Sequence, residues 1–196
     1  MAQVIYATPE SDTNRARYTV PVYQDDDNDY ALAGSAYPVP SINIGQLRLN
    51  EGKAFATGAL YTFASPLAAG SSIDIAIAFP SGITPTISIS GLCAGDALGY
   101  LYEGASVSGG TSLTPINKNR SSLTASQGVA LLNPTVSSLG TAILAQILIG
   151  GSGKKAGGGS TDGSDLILKP LTTYLFRLTN VNGTAHAAEI QLEWTE

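Results

Sequence analysis

The sequence predicts an all-β protein: an antiparallel β-sandwich of the jelly-roll kind with an extended N-terminal arm. Short segments in which apolar and polar residues alternate recur over roughly the last 150 residues. Turns rich in Gly, Pro and Ser separate these segments, and none carries a convincing helical period. Seven or eight such strands indicate a sandwich or barrel, although the pattern alone does not separate a meander from a jelly roll.

The composition fits one sizeable domain, or one domain plus an arm. The chain has 196 residues, of which 43% are hydrophobic and only 13% charged, with 22 glycines. A chain of this length buries roughly 70% of its unfolded surface, so it needs no disulfide or metal to fold. Low charge and many small residues are typical of all-β proteins that assemble into larger bodies.

The net charge and the absence of signal-peptide or membrane-spanning patterns argue against several classes of partner. The net charge of -5 argues against nucleic acid, because such binding relies on Lys and Arg. No segment resembles a signal peptide, and no apolar run approaches the ~20 residues that span a bilayer. We therefore expect a protein that is made and kept in the cytoplasm, with no membrane partner. The single cysteine, Cys93, excludes an internal disulfide and is expected to be buried.

Residues 1–45 are expected to form the arm, and residues 46–196 the sandwich. The first segment carries the acidic run DDDND and five of the nine tyrosines, with no sustained apolar period. Pro21, Pro38 and Pro40 favour an open chain, because proline fixes its own φ and biases the residue before it. A segment of this kind is suited to lie along another surface.

Alternation predicts the strands in order. The clearest is SIDIAIAF at 72–79, with three isoleucines and a phenylalanine on one face. The other predicted strands are 42–49 with a bulge near Gly45, 59–67, 86–91, 98–104, 141–149, 172–180 and 187–194. Asn182-Gly183 predicts a hairpin between the last two. Residues 126–136 are the best helix candidate, but Gly128 and Pro134 leave room for little more than one turn.

The tract ILIGGSGKKAGGGSTDGSDLILKP (147–170) looks like a phosphate loop and departs from that pattern. A phosphate loop needs GxxxxGK followed by Ser or Thr and then a helix. Leu148 stands where the first glycine belongs, and Lys155 follows Gly153-Lys154 in place of the hydroxyl residue. AGGGSTDGSD cannot continue as a helix. We expect a loop joining two strands.

The acidic run invites a calcium interpretation. Asp25, Asp27 and Asp29 have the spacing of positions one, three and five of an EF-hand loop. Tyr30 occupies the glycine position and Ala36 the final glutamate position, so an EF-hand is excluded. A looser calcium site remains open, and a solvated arm or one facing basic residues of a partner is favoured.

No group of residues points to catalysis, so we expect a non-enzymatic protein without cofactor or metal. His186 is the only histidine and is expected to be exposed in a turn, and no GxSxG occurs. Trp194 is expected to anchor the core or rim rather than offer a sugar platform. The candidate carboxylates are scattered over different strands: Glu51, Asp74, Asp96, Glu103, Glu189 and Glu193.

Three stretches together resemble a family of tailed-bacteriophage virion proteins. They are YEGASVSGGTSLTPINKNRSS (102–122), ILIGGSGKKAGGGSTDGSDLILKPLTTYLFRLTN (147–180) and the closing AEIQLEWTE. The shared pattern is a "YEG…T..TP.N.NR" segment, an "IGG" loop, an "ILKP.TTYL.R.TN" strand and a terminal "L.W.E". Members look like capsid decoration, or cement, proteins, and the resemblance covers roughly residues 47–196.

The resemblance implies a virion structural protein on the outer surface of the capsid, bridging major capsid protein subunits. A homo-oligomer, dimer or trimer, would suit icosahedral positions. The arm would dock on the capsid through Tyr6, Tyr18, Tyr23, Tyr30 and Tyr37, each of which could equally pack on its own domain. NKNR (117–120) could contact another subunit or fix a loop by hydrogen bonds, and the second is favoured.

An alternative from the same virion is a tail or fibre-associated protein. The same strands would then present the loops 108–122 and 150–165 to a host-surface glycan. Copy number separates the two, because a head protein is present in hundreds of copies and a tail protein in far fewer.

Overall fold

A computed structural model of the chain describes residues 4–7, 20–24, 30–32, 44–148 and 165–196. Its contacts divide the chain into two compact units, Met1–Asn43 and Ile44–Glu196, with the division two residues before the predicted boundary. In the described ranges, no helix is long and apolar enough to cross a membrane.

Three short strands form the described part of the first unit. They are β1 (Val4–Ala7), β2 (Val20–Gln24) and β3 (Tyr30–Leu32), paired antiparallel in the order β1-β2-β3. Pro21 lies within β2, where it pairs with Tyr6.

The second unit opens with a helix, so the strand predicted at 42–49 is wrong. Helix α1 (Ile44–Asn50) contains Gln, Leu and Arg, which are good helix formers, and the Gln46 amide donates to Asn50 Oδ1 at 3.0 Å. The helix ends at Asn50 and is closed by Gly52, whose φ of 69° is the left-handed conformation that follows many helices. The closing glycine was the overlooked signal.

In the described part of the second unit, thirteen strands follow α1. They are β4 (Ala54–Tyr61), β5 (Ser72–Ala78), β6 (Thr86–Cys93), β7 (Ala97–Glu103), β8 (Ser106–Ser108), β9 (Thr111–Leu113), β10 (Ile116–Asn117), β11 (Val129–Leu132), β12 (Thr135–Ser138), β13 (Thr141–Leu148), β14 (Leu166–Ile167), β15 (Thr173–Asn180) and β16 (Ala188–Thr195). The strand predicted at 59–67 is shifted, since β4 ends at Tyr61. The helix candidate at 126–136 instead contributes β11 and part of β12.

Strand order confirms the predicted jelly roll. One sheet runs β10-β4-β16-β6-β14 and the other β13-β7-β15-β5-β11-β9, and every described pairing is antiparallel. Eight of these strands form the jelly roll: β4, β5, β6, β7, β13, β14, β15 and β16. In chain order, the first, eighth, third and sixth form one sheet, and the fifth, fourth, seventh and second form the other. That arrangement is a double-sheet jelly roll.

Alternation along β5 builds the middle of the core. Ile73, Ile75 and Ile77 are at most 3% exposed and belong to the main apolar cluster between the sheets. β5 lies between β15 and β11, so both of its edges are paired. This strand is the clearest success of the sequence pattern.

Aromatic contacts join the two sheets at one end. Trp194 of β16 is 2% exposed, with its ring centroid 6.1 Å from that of Phe55 and 5.9 Å from that of Phe79. The Phe79 ring meets the indole edge-on at 77°, a favourable geometry for aromatic pairs. Trp194 is therefore a core anchor, as predicted.

The connection between β7 and β13, residues 104–140, reinforces both sheets. Its strand β10 extends one sheet beside β4, while β11 and β9 extend the other beyond β5. Its β8–β12 ribbon supplies Val107 and Val136 to a second small apolar cluster with Leu175 and Ala76. The predicted loop at 108–122 thus contains two short strands.

The predicted hairpin at Asn182-Gly183 is wrong. β15 and β16 belong to different sheets, so this turn carries the chain from one layer to the other. Asn182 fixes the crossing by donating its side-chain amide to the Asp96 carbonyl at 2.7 Å. Asn180, fully buried, holds the crossing from the other side by donating to the Leu67 and Thr184 carbonyls.

Candidate docking groove

Strand β4 is closed along the first half of its outer edge. β10 pairs Asn117 with Phe55 and Ile116 with Ala56, and the Lys118 N–H donates to the Ala54 carbonyl at 2.8 Å. Pro115, which has no N–H to donate, comes directly before β10.

A buried asparagine holds β10 in place. Asn117, 8% exposed, donates its side-chain amide to the carbonyls of Gly52 at 2.8 Å and Thr124 at 2.9 Å. Its Oδ1 accepts from the Asn119 N–H at 2.9 Å. Asn119 in turn donates to the Asn50 carbonyl at 3.0 Å. These bonds confirm the favoured prediction that the NKNR segment fixes a loop.

The Glu196 carboxylate fastens the turn at 126–128, in the segment that follows β10. It accepts hydrogen bonds from Ser126 Oγ at 2.5 Å, Gln127 N at 3.1 Å, Gly128 N at 3.3 Å and Trp194 Nε1 at 3.0 Å. Bonds to an ionised acceptor are stronger than neutral ones. The side chain therefore ties the turn before β11 to the end of β16.

The second half of β4 has an open edge. Because Lys118 bonds to Ala54, the even-numbered residues of β4 direct their backbone N–H and C=O groups toward the β10 side. Beyond Ala56 these residues are Gly58 and Leu60. Within the described ranges, no strand pairs with them on that side.

An apolar groove of about 450 Å³ lies along this open edge. Its lining includes Gly58, Leu60, Leu113, Thr114, Ile116 and Glu189. Leu60 is 66% and Ile116 54% exposed, although both are large apolar side chains. Leu113, by contrast, packs against the main core. The groove thus runs from an exposed apolar rim toward the interior of the sandwich.

Gly58 leaves the bottom of the groove without a side chain. A Cβ at this position would lie 2.5 Å from the carbonyl oxygen of Ile190 on the neighbouring strand, too close for any side chain. A glycine within a strand commonly marks such a close approach of backbone.

Among the described residues that line the groove, Glu189 is the one that carries a charge. It stands opposite Leu60 in the pairing of β16 with β4. No basic side chain of the described residues forms an ion pair with it. The groove therefore offers backbone hydrogen-bonding groups, apolar walls and one negative charge.

Four of the other candidate carboxylates have basic partners of their own: Asp74, Glu51, Glu193 and Glu103. Arg177 forms a bidentate pair with Asp74 at 2.7 and 2.6 Å, and that hydrogen bonding raises the pKa of the Arg177 guanidinium. Glu193 pairs with Lys118, and Glu51 with Lys53 at 3.1 Å. In the described ranges, no three His, Cys, Asp or Glu side chains come together in a way that could hold a metal.

Glu103 belongs to a hydrogen-bonded trio at the end of β7. Lys169 Nζ donates to it at 2.7 Å and Tyr174 Oη at 2.8 Å, and these two bonds lower the pKa of the Glu103 carboxyl. The same bond to Glu103 raises the pKa of Lys169, and burial raises the pKa of Tyr174. The trio links β7, β15 and the segment after β14.

The contacts of His186 and Cys93 are those of residues that support the fold. His186 is half-buried rather than exposed, pairs by its backbone with Leu67, and brings its Nε2 within 3.1 Å of Thr184 Oγ1. Gly95 lies against this ring, since a Cβ there would be 2.5 Å from it. Cys93 is 5% exposed, which confirms the prediction that it is buried.

Several predicted residues lie outside what the structure describes. They are Tyr18, Tyr37, the acidic residues Asp25, Asp27 and Asp29, the side chains of Tyr6, Tyr23 and Tyr30, and the glycine tract at 149–164. The docking, cation and loop predictions made for them stay predictions.

The sequence pattern missed the groove because the strand was predicted to start at Ala59. Alternation beginning at Ala54 places Phe55, Thr57 and Ala59 on one face and Gly58 and Leu60 on the other. A leucine on the polar face of a strand was the available signal. Where β10 stops was not readable from sequence.

No family model, curated protein or solved structure matched the chain.

Proposed function

We propose that this protein is a decoration, or cement, protein on the outer surface of a tailed-bacteriophage capsid. It acts without catalysis or cofactor, as a homo-oligomer, by bridging neighbouring major capsid protein subunits. Cross-joint contacts of this kind add buried area where the shell is weakest under internal pressure.

The observation that carries the proposal is the open half of β4. A free strand edge beside an apolar groove is a ready site for another protein, since strand addition supplies backbone bonds and pockets supply specificity. Natural sheets generally protect such edges. Exposed Leu60 and Ile116 offer apolar area that a partner can cover.

The phage-like motifs support the proposal through what their residues do in this chain. Asn117 braces β10, Arg177 forms the ion pair of β15, and Trp194 and Glu196 fasten the last strand. These are residues that build a domain. A resemblance concentrated on them is one of fold, and double-sheet jelly rolls are common in viral capsid proteins.

Copy number and head stability test the proposal. We expect quantitative gel densitometry of purified virions to give hundreds of copies per particle, and heads lacking the protein to lose their DNA at a lower temperature. A few to a few dozen copies would favour the tail or fibre alternative. Equal heat resistance of heads with and without the protein would exclude a cementing role.

A further inference from the structure

The open half of β4 has the geometry of an acceptor for one more strand. Gly58 and Leu60 each direct an N–H and a C=O outward, so an antiparallel strand opposite them forms about four backbone hydrogen bonds. Residues 57–61 span roughly 17 Å at about 3.4 Å per residue, enough for a segment of about five residues.

The walls of the groove specify the side chains of that strand. Leu60, Leu113 and Ile116 present apolar surface on the open side. The volume of about 450 Å³ falls within the range of roughly 300–1,000 Å³ found for ligand pockets. An added strand with apolar side chains therefore buries surface that is now exposed to water.

The charge of Glu189 indicates one further residue of the added strand. Glu189 lies on β16 opposite Leu60, two strand spacings from the position of an added strand. At about 4.8 Å per spacing, the Cα atom of Glu189 lies about 10 Å from that of the added residue opposite Leu60. A lysine or arginine at that position and the glutamate can reach each other across Leu60. A basic residue opposite Leu60 would give Glu189 the partner that it lacks among the described residues.

We infer that the open half of β4 binds, by β-strand addition, an extended apolar segment of the major capsid protein that carries a lysine or arginine opposite Leu60. This inference rests on the proposed function and names the surface through which it is carried out. The negative charge of Glu189 disfavours acidic segments, and this gives the groove its selectivity.

The test uses the full-length protein and purified heads that lack it. Leu60→Lys removes apolar surface and places a like charge where the basic residue of the partner would lie. Leu123→Lys is the matched control, because Leu123 is fully exposed and outside the groove. We expect Leu60→Lys to raise the concentration for half-saturation of heads about tenfold or more, and Leu123→Lys to leave it unchanged.

Hydrogen exchange gives a second readout that is independent of the variants. We expect the amides of Gly58 and Leu60 to exchange fast in the free protein and slowly on heads. Binding of wild type and Leu60→Lys with equal affinity would overturn the groove inference and leave the decoration function standing. Failure of the wild type to bind heads at all would overturn both.

Other occupants give distinct results. Protection of the same two amides in a free monomer would mean that the chain fills its own groove. A dimer in solution that Leu60→Lys dissociates would mean that a second copy occupies it. Either result would overturn the assignment to the major capsid protein.

Discussion

The two halves of strand β4 lie three residues apart and have opposite surroundings. Around Phe55 the outer edge is covered by β10 and held by Asn117, whereas around Gly58 and Leu60 it is open beside a groove. Both halves pair with β16 on the other side without interruption. Closure of this edge is therefore a local property, set by the segment that lies against it.

The difference shows what closing a strand edge requires. β10 contributes only two paired residues, too few to hold by themselves. Asn117 supplies two further bonds, to the Gly52 and Thr124 carbonyls, and Glu196 holds the turn after β10 by accepting from Gln127 N and Gly128 N. On the open half no described side chain does this. An edge without such a brace is available to a partner.

Breaking the brace should have the largest effect on stability. Asn117→Ala leaves the Gly52 and Thr124 carbonyls without their donor, and we expect a loss of about 2–4 kcal/mol in the free energy of unfolding. Urea denaturation measures it. Asn119→Ala, at a more exposed position, is the control with a loss below about 1 kcal/mol. Equal losses would deny Asn117 its special role.

Adding a side chain to the floor of the open half should cost less. Gly58→Ala forces a Cβ against the Ile190 carbonyl, and we expect about 1–3 kcal/mol of destabilisation from the local shift. Gly183→Ala is the matched control, because a Cβ there meets nothing within 4 Å. Thermal unfolding of the two variants side by side decides whether the close approach matters.

The charge of Glu196 should contribute less to stability than Asn117 or Gly58. Glu196→Gln keeps the shape of the side chain and removes the charge that four donors share, and we expect a loss of about 1 kcal/mol. Glu189→Gln, in the open groove, should leave stability unchanged. An equal response of the two variants would mean that the carboxylate bonds to the turn before β11 contribute nothing.

A pH series tests the hydrogen-bonded trio around Glu103, which belongs to neither half of β4. The pKa of Glu103 is lowered by its bonds from Lys169 and Tyr174, so its stabilising contribution is present above its ordinary value of 4.5 and is lost as pH falls through the lower folded value. We expect the difference in unfolding midpoint between wild type and Glu103→Gln to shrink below pH 4.5. A difference that stays constant down to pH 2 would contradict the assignment.

The smallest effect on stability is expected at the rim of the groove. Leu60→Lys changes a side chain that is 66% exposed, and the free energy of unfolding should stay within about 0.5 kcal/mol of wild type. The variant thus separates binding from folding. A loss above 2 kcal/mol would show that Leu60 supports the domain itself.

Sequence predicted the layers well because each strand carries its own period. β5 and β15 place alternate residues in the main core, as their patterns predict, but the opposite faces of both strands are also buried, at Ala76 and Leu175. α1 was missed because it is seven residues long and marked only by the glycine that ends it. The hairpin at Asn182-Gly183 failed because a turn-forming dipeptide does not tell which sheet the next strand joins.

The groove was harder to predict for a related reason. It depends on a two-residue strand more than fifty positions away, which stops at Pro115 and leaves the rest of β4 uncovered. No local pattern near Leu60 encodes that stopping point. The braces were partly readable, since an asparagine-rich turn indicates side-chain bonds to backbone.

The pairing of β4 with β16 constrains the order in which strands can pair during synthesis on the ribosome. Ala54 pairs with Thr195, so an early strand of the domain must wait for one made much later. Contacts so distant in sequence form slowly and leave intermediates exposed. During translation the edge of β4 that pairs with β16 therefore stays unpaired until residues 188–195 have been made.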